Sequence, residues 1–150
     1  MFLDRDGVVN EAPPLGEYIR SAEEFRFIDS TVDWIRLMNR LGHLVIVVTN
    51  QRGVALGRMT AEELDRLHSW MKDQLAARNA YVDDIFYCPH EEGVCDCRKP
   101  KPGMIHRAVE KWGIDLTQSI LIGDGERDRD LALATGLPFV LVSNGRIIST

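Results

Sequence analysis

The sequence predicts an α/β fold, a Rossmann-like parallel sheet with helices on both faces. Three observations carry this expectation. Short apolar runs recur along the chain at Phe2-Leu3, Leu44-Val45-Ile46-Val47-Val48, Ile85-Phe86-Tyr87, Ile120-Leu121-Ile122 and Pro138-Phe139-Val140-Leu141-Val142. Such runs suit strands buried on both faces. Segments with apolar residues at helical spacing separate them, and strands alternating with helices favour parallel pairing through right-handed crossovers. Several runs also end in residues able to do chemistry (Asp4, Thr49-Asn50 and Asp124). In open α/β sheets, ligands bind outside those strand ends.

Taken in order, the first strand is very short, because only three residues precede Asp4. The segment from Glu11 to Arg26 contains Pro13, Pro14 and Gly16 and reads as an irregular loop bordering the site. From Thr31 to Leu41, Val32, Ile35, Met38 and Leu41 or Leu37 share one helical face, closed by Gly42. The β-branched run ending in Thr49-Asn50 is a central strand. Thr60-Ala61-Glu62-Glu63 is a capping-box signature, followed by a stripe of Leu64, Leu67, Met71 and Leu75. Met104, Ile105, Ala108, Val109 and Trp112 form another stripe, ending at Gly113. Leu131 to Thr135 is a short helix stopped by Gly136 and Pro138. In the last strand, Pro138 fits only at the first position.

The chain has 150 residues, enough for one domain over residues 1–150. Its net charge of −5 argues against nucleic acid or an anionic membrane surface as partner. No apolar stretch is long enough to span a bilayer, and no signal peptide is visible. Three cysteines crowd between positions 88 and 97, unlike a spread disulfide framework, so a reducing cytoplasmic setting is expected.

The chemistry concentrates in four places. Asp4-Arg5-Asp6-Gly7 sets two carboxylates two residues apart, with Asp124 matching them from another strand end. Three converging acids need a cation, and Mg²⁺ prefers oxygen ligands shared with phosphate. Asp4 can attack phosphorus, and Asp6 can shuttle the proton of leaving group and water. Thr49-Asn50 offers a hydroxyl and N–H groups for phosphoryl oxygens, extended by Gln51 and Arg52. Lys99 can neutralise a transferring phosphoryl group as a point charge, and Arg98 can hold a further oxyanion bidentately. Asp128 can hold Lys99 or bind the metal through water, with Glu126 and Asp130 competing for that role. Cys88, His90, Cys95 and Cys97 lie within ten residues and match a closed tetrahedral Cys₃His zinc site, structural in kind. It would clamp the loop carrying Arg98 and Lys99. His43, His68 and His106 lack such company and read as ordinary surface or helix residues.

Together these residues resemble the haloacid dehalogenase superfamily of phosphatases. Asp4-Arg5-Asp6-Gly7-Val8-Val9-Asn10, Thr49-Asn50-Gln51, Lys99-Pro100 and Gly123-Asp124 through Asp128 are similar to its four motifs, in order and across the whole chain. The resemblance implies Asp4 as nucleophile, Asp6 as general acid/base, and Thr49 and Lys99 as phosphoryl stabilisers. It implies Mg²⁺ held by the Asp4 carboxylate, the Asp6 backbone carbonyl and Asp124, with Asp128 supporting. Arg5, Asn50, Gln51, Arg52 and Arg98 are the expected substrate contacts. The cysteine loop resembles two capless, zinc-containing branches, which act on D-glycero-D-manno-heptose 1,7-bisphosphate or on histidinol phosphate. Val48 through Gly57 and Lys101-Pro102-Gly103-Met104 look more like the heptose branch. That branch often carries Ser at the Arg52 position and Lys at the Gly125 position. The expectation is therefore a monomeric, Mg²⁺-dependent phosphatase of a small phosphorylated metabolite, with structural Zn²⁺. Histidinol phosphate or another sugar phosphate is the alternative substrate. A zinc module binding nucleic acid or protein is the alternative of another class, opposed by the net charge and the scarcity of clustered aromatics.

Overall fold

The apolar runs enter one sheet, and their alternating side chains build two cores. The computed structural model describes residues 1–150. Its elements are β1 (Phe2–Leu3), α1 (Asp29–Arg40), β2 (Ile46–Asn50), α2 (Ala61–Ala76), β3 (Asp84–Cys88), α3 (Gly103–Trp112), β4 (Leu121–Gly123), α4 (Glu126–Thr135), β5 (Phe139–Ser143) and β6 (Arg146–Ser149). The strand order is β3-β2-β1-β4-β5-β6. All pairs are parallel except β5 with β6.

Because side chains alternate across a strand, Leu3, Val47 and Ile122 face one way. They join Val32 and Ile35 of α1 and Leu67, Met71 and Leu75 of α2. Phe2, Ile46, Val48 and Leu121 face the other way and join Met104, Ile105 and Ala108 of α3 and Leu131 and Ala132 of α4. Two helices thus cover each face. Thr60 closes a complete capping box at the start of α2. Gly113 and Gly136 end α3 and α4 in left-handed backbone, as the sequence suggested. No helix is long and apolar enough to cross a membrane.

Four details differ from the sequence reading. β2 begins at Ile46 rather than Leu44. Leu37 and Leu41 are exposed, so α1 buries only the narrower stripe of Thr31, Val32 and Ile35. α4 begins at Glu126, five residues before Leu131, because the charged run Glu126-Arg127-Asp128-Arg129-Asp130 masks its apolar face. The acids of its first turn suit the positive end of the helix dipole. Finally, β6 returns antiparallel on β5 through Asn144 (φ 47°) and Gly145 (φ 73°), a two-residue turn of the kind Asn-Gly favours.

The topology decides where chemistry can occur. β1 is central, with β2 on one side and β4 on the other, so the chain reverses its winding there. The crevice outside the carboxyl ends of β1, β2 and β4 is the expected ligand site.

Candidate active site

Asp4 follows β1, Thr49 and Asn50 end β2, and Asp124 follows β4. Together with Asp6, Lys99 and Asp128 they line one cleft of about 590 Å³. Ala12 and Leu15 form part of its wall, so the proline-containing loop does border the site.

Lys99 is the electrostatic centre. Its side chain is only 3% exposed, and Nζ sits 2.8 Å from Asp4 Oδ1 and 2.7 Å from Asp128 Oδ1. Burial alone would lower the Lys99 pKa, but the two carboxylates outweigh it and push it up to about 12. Burial raises Asp4 to about 7, with Lys99 pulling down and Asp128 and Asp6 pushing up. Burial, then Asp128, raises Asp124 as well. Three carboxylates around one ammonium leave negative charge in excess. Oxygen atoms of Asp4, Asp124 and Asp128 lie within 4.8 Å of one another, a donor set that fits a hard divalent cation. The glycine of the first acidic motif makes this approach feasible. Gly7 has φ 84°, and a side chain there would run into the Asp124 carboxylate.

The two bonds to Asp4 from Arg5 N–H (2.7 Å) and Lys99 both fall on Oδ1, and Asp4 lines the cleft. Asp6 is held differently. Burial opposes its ionisation, but Arg5, Asn10 and Gln51 prevail and hold its carboxyl below the usual range. Arg5 Nε donates to Oδ1 (3.1 Å) and Nη2 to both oxygens (2.9 and 3.0 Å); Asn10 adds 2.9 Å to Oδ1 and Gln51 2.9 Å to Oδ2.

Several expected substrate contacts have other occupations here. Arg5 is wholly buried and turned onto Asp6 and His68, because a residue between two site-facing acids points into the body of the protein. Gln51 is also buried, and its amide donates to Asp6 and to Thr49 Oγ1 (3.0 Å). Asn50 lines the cleft, but its side-chain amide clasps the Lys99 backbone, accepting at 2.9 Å and donating at 3.2 Å. Arg52 pairs with Glu91 at 3.1 Å. Arg98 is nearly buried, 3.7 Å from Glu92, and its Nε and Nη1 have no protein partner. A buried guanidinium with spare donors suits an oxyanion.

The cysteine loop gathers as its spacing suggested. The ligating atoms of Cys88, His90, Cys95 and Cys97 lie within 4.8 Å of one another. Cys88 and Cys95 Sγ are 3.5 Å apart, and His90 Nδ1 is 3.6 Å from Cys88 Sγ and 3.2 Å from Cys97 Sγ. All three thiols are free, so the donor set fits a tetrahedral ion such as zinc. The loop is anchored on both sides. Gln51 N–H donates to Cys88 O (2.7 Å) and Ala55 N–H to Pro89 O (3.1 Å); Lys101 Nζ donates to Cys95 O (2.6 Å). Its exit residue Lys99 is thereby delivered to the cleft.

His68, read as an ordinary surface or helix residue, lies on α2 but is 5% exposed and contacts Arg5, which sequence reasoning missed. Its place after Leu67 on the apolar stripe of α2 was the available signal. Sequence reasoning also missed Arg127, which lines the cleft and donates to Glu92 at 2.6 Å.

Comparisons with known proteins point to one family of phosphatases. Residues 96–147 match a family model described as HAD-hydrolase-like. The chain is 39% identical to the D-glycero-beta-D-manno-heptose-1,7-bisphosphate 7-phosphatase of Rhodopseudomonas palustris, covering 91% of this chain and 79% of that one. It is 38% identical to the Escherichia coli K12 protein of the same name, covering 99% and 81%. Among solved structures, D,D-heptose 1,7-bisphosphate phosphatase from B. bronchiseptica, complexed with magnesium and phosphate, superposes with a TM-score of 0.88 at 34% identity. That match covers 97% of this chain and 82% of the other. An HAD-like phosphatase from Mesorhizobium loti gives a TM-score of 0.86 at 30% identity, covering 98% and 76%.

Proposed function

The chain belongs to the HAD-like phosphatases, in the family of the heptose-1,7-bisphosphate 7-phosphatases, and from that membership we propose that it removes the 7-phosphate of D-glycero-β-D-manno-heptose 1,7-bisphosphate. The observation that carries the reading is Lys99, buried between Asp4 and Asp128 where three strand ends meet. A site of this charge pattern is built to receive a cation and a phosphoryl group together.

Asp4 Oδ2 attacks phosphorus while the ester P–O bond breaks, giving an aspartyl phosphate and an alkoxide. Asp6 gives that alkoxide its proton. The approaching phosphate dianion favours the protonated carboxyl, because like charge raises a neighbouring pKa. In the second half, water attacks phosphorus, Asp6 takes its proton, and the bond to Asp4 breaks to release phosphate. Thr49 directs its hydroxyl, and Lys99 its ammonium, to the phosphoryl oxygens. Asp4, Asp124 and the Asp6 backbone carbonyl would hold Mg²⁺, which would supply the positive charge that lets an anion meet an anionic nucleophile. Asp128 keeps Lys99 in place. Arg98, with its unpartnered donors, takes the distal phosphate. Cys88, His90, Cys95 and Cys97 would hold Zn²⁺, which would fix the loop that carries Arg98 and Lys99.

Phosphate release with Mg²⁺ tests this, comparing both heptose bisphosphate anomers with histidinol phosphate and using Asp4→Asn as the blank. The expected result is a kcat/KM for the β-anomer about a hundredfold above the rest, equivalent to about 2.7 kcal/mol. Preference for histidinol phosphate would reassign the substrate, and full activity of Asp4→Asn would overturn the mechanism.

A further inference from the structure

Arg5 is the largest charged side chain fully enclosed in the protein. A guanidinium can only donate, so every N–H needs an acceptor. Nε and Nη2 fork onto Asp6, while Nη1 lies 3.0 Å from His68 Nε2 on α2. A guanidinium cannot accept, so His68 Nε2 is the bare nitrogen and the ring proton is on Nδ1. His68 shares the buried face of α2 with Leu64, Leu67 and Met71. Its ring meets Tyr87 of β3 at 5.5 Å in an edge arrangement, and the Tyr87 hydroxyl donates to Asp65 of α2 at 3.0 Å. The imidazole is therefore fixed from both α2 and β3.

We infer that His68 is a positioning residue for Asp6, acting through Arg5. The guanidinium is a rigid plane, so an acceptor at Nη1 sets the direction of the two remaining edges that grip the carboxylate. Without that acceptor, the buried Nη1 turns toward another partner, and the grip on Asp6 turns with it. Asn10 and Gln51 still hold Asp6, but each through a single hydrogen bond to one oxygen. The inference rests on the reading of Asp6 as general acid/base, because only then does its orientation govern a rate.

Two variants of the metal-loaded, full-length enzyme test it. His68→Leu fills the space and accepts nothing, whereas the amide oxygen of His68→Gln can take the place of Nε2. Each is assayed on the alkyl ester turned over best above and on p-nitrophenyl phosphate. Nitrophenolate departs without a proton, so kcat/KM for the aryl ester does not depend on a well-aimed acid. His68→Leu is expected to lower kcat/KM for the alkyl ester roughly ten- to hundredfold and for the aryl ester less than about threefold. His68→Gln restores most of the loss. Equal losses on both esters, no loss, or a Gln variant as impaired as Leu would each overturn the inference. Asp6→Asn on the same ester pair separates the two levels. If it shows no selective alkyl loss, the role of Asp6 itself fails; if it does and His68→Leu does not, only the inference fails. A further readout needs neither turnover nor a variant that folds. ¹⁵N-histidine NMR of the full chain should show His68 protonated on Nδ1 and bare on Nε2, and the opposite tautomer would sever the link.

Discussion

At the scale of single residues, Lys99 balances the site. Its ammonium touches both Asp4 and Asp128 with almost no solvent access. Removing a cation from such a place costs both transition-state charge and the pairing of buried acids. Lys99→Met should therefore lower kcat/KM roughly 10²–10³-fold, measured by phosphate release, with Mg²⁺ unable to restore it. A loss below about tenfold would move the main phosphoryl contact elsewhere. The residues of this balance were legible beforehand, because carboxylates and a lysine at strand ends announce themselves by position. Arg5, Gln51 and Asn50 were not, because their type suggested substrate contact while their direction is set by packing. Arg5 lies between two acids that face the cleft and so points inward, where His68 meets it. Only the fold reveals that two apparently unrelated residues, far apart in sequence, complete the grip on Asp6.

At the scale of elements, the cysteine loop was legible because its candidate ligands are local and closely spaced. What the spacing could not convey is how the loop ties the site together. Glu91 pairs with Arg52, and Glu92 receives both Arg98 and Arg127, so side chains from the loop after β2 and from α4 converge on it. Unfolding this loop would release Lys99 from the Asn50 clasp and Arg98 from its buried position. Cys95→Ser with Cys97→Ser should thus abolish one equivalent of zinc. It should cost at least about 2 kcal/mol of stability and lower the melting temperature by roughly 4 °C or more. Metal analysis and thermal unfolding check this together, and unchanged zinc content would refute the ligand set. The β6 hairpin shows the opposite kind of failure. Asn144-Gly145 is a strong hairpin signal, but the four exposed residues of β6 that follow it bury no apolar face to mark a strand. Its turn is docked on α1, where Ser30 Oγ donates to Gly145 O at 2.8 Å. The early start of α4 was hidden for a different reason, since alternating charges fill its first turns.

For the whole molecule, folding assembles a concentration of negative charge that a divalent cation would relieve, which would link stability, pH and metal. Asp4 is raised to about 7, chiefly by burial. Without metal, from about pH 4 to 7 the folded chain keeps a proton that the unfolded chain has lost. Stability from this group therefore declines as pH rises through that window. Mg²⁺ requires the ionised carboxylate, so its binding below pH 7 releases the proton and is weaker there. His68 works in the other direction. Burial, then the Arg5 charge, lowers it to about 3. The folded ring is neutral where the unfolded one protonates, and stability is lost as pH falls below about 6.5. That loss is the same with and without Mg²⁺ and cancels in their difference. The rise in melting temperature caused by Mg²⁺ should consequently grow from pH 5 to 7 and then level. At a hundredfold excess over Kd it corresponds to about 2.7 kcal/mol, or roughly 5–10 °C for a chain of this length. Asp4→Asn should make the Mg²⁺ effect smaller and remove most of its pH dependence. A Mg²⁺ effect of constant size from pH 5 to 8 in the unaltered chain would exclude Asp4 from the metal site, leaving Asp124 and the Asp6 backbone carbonyl to hold the ion.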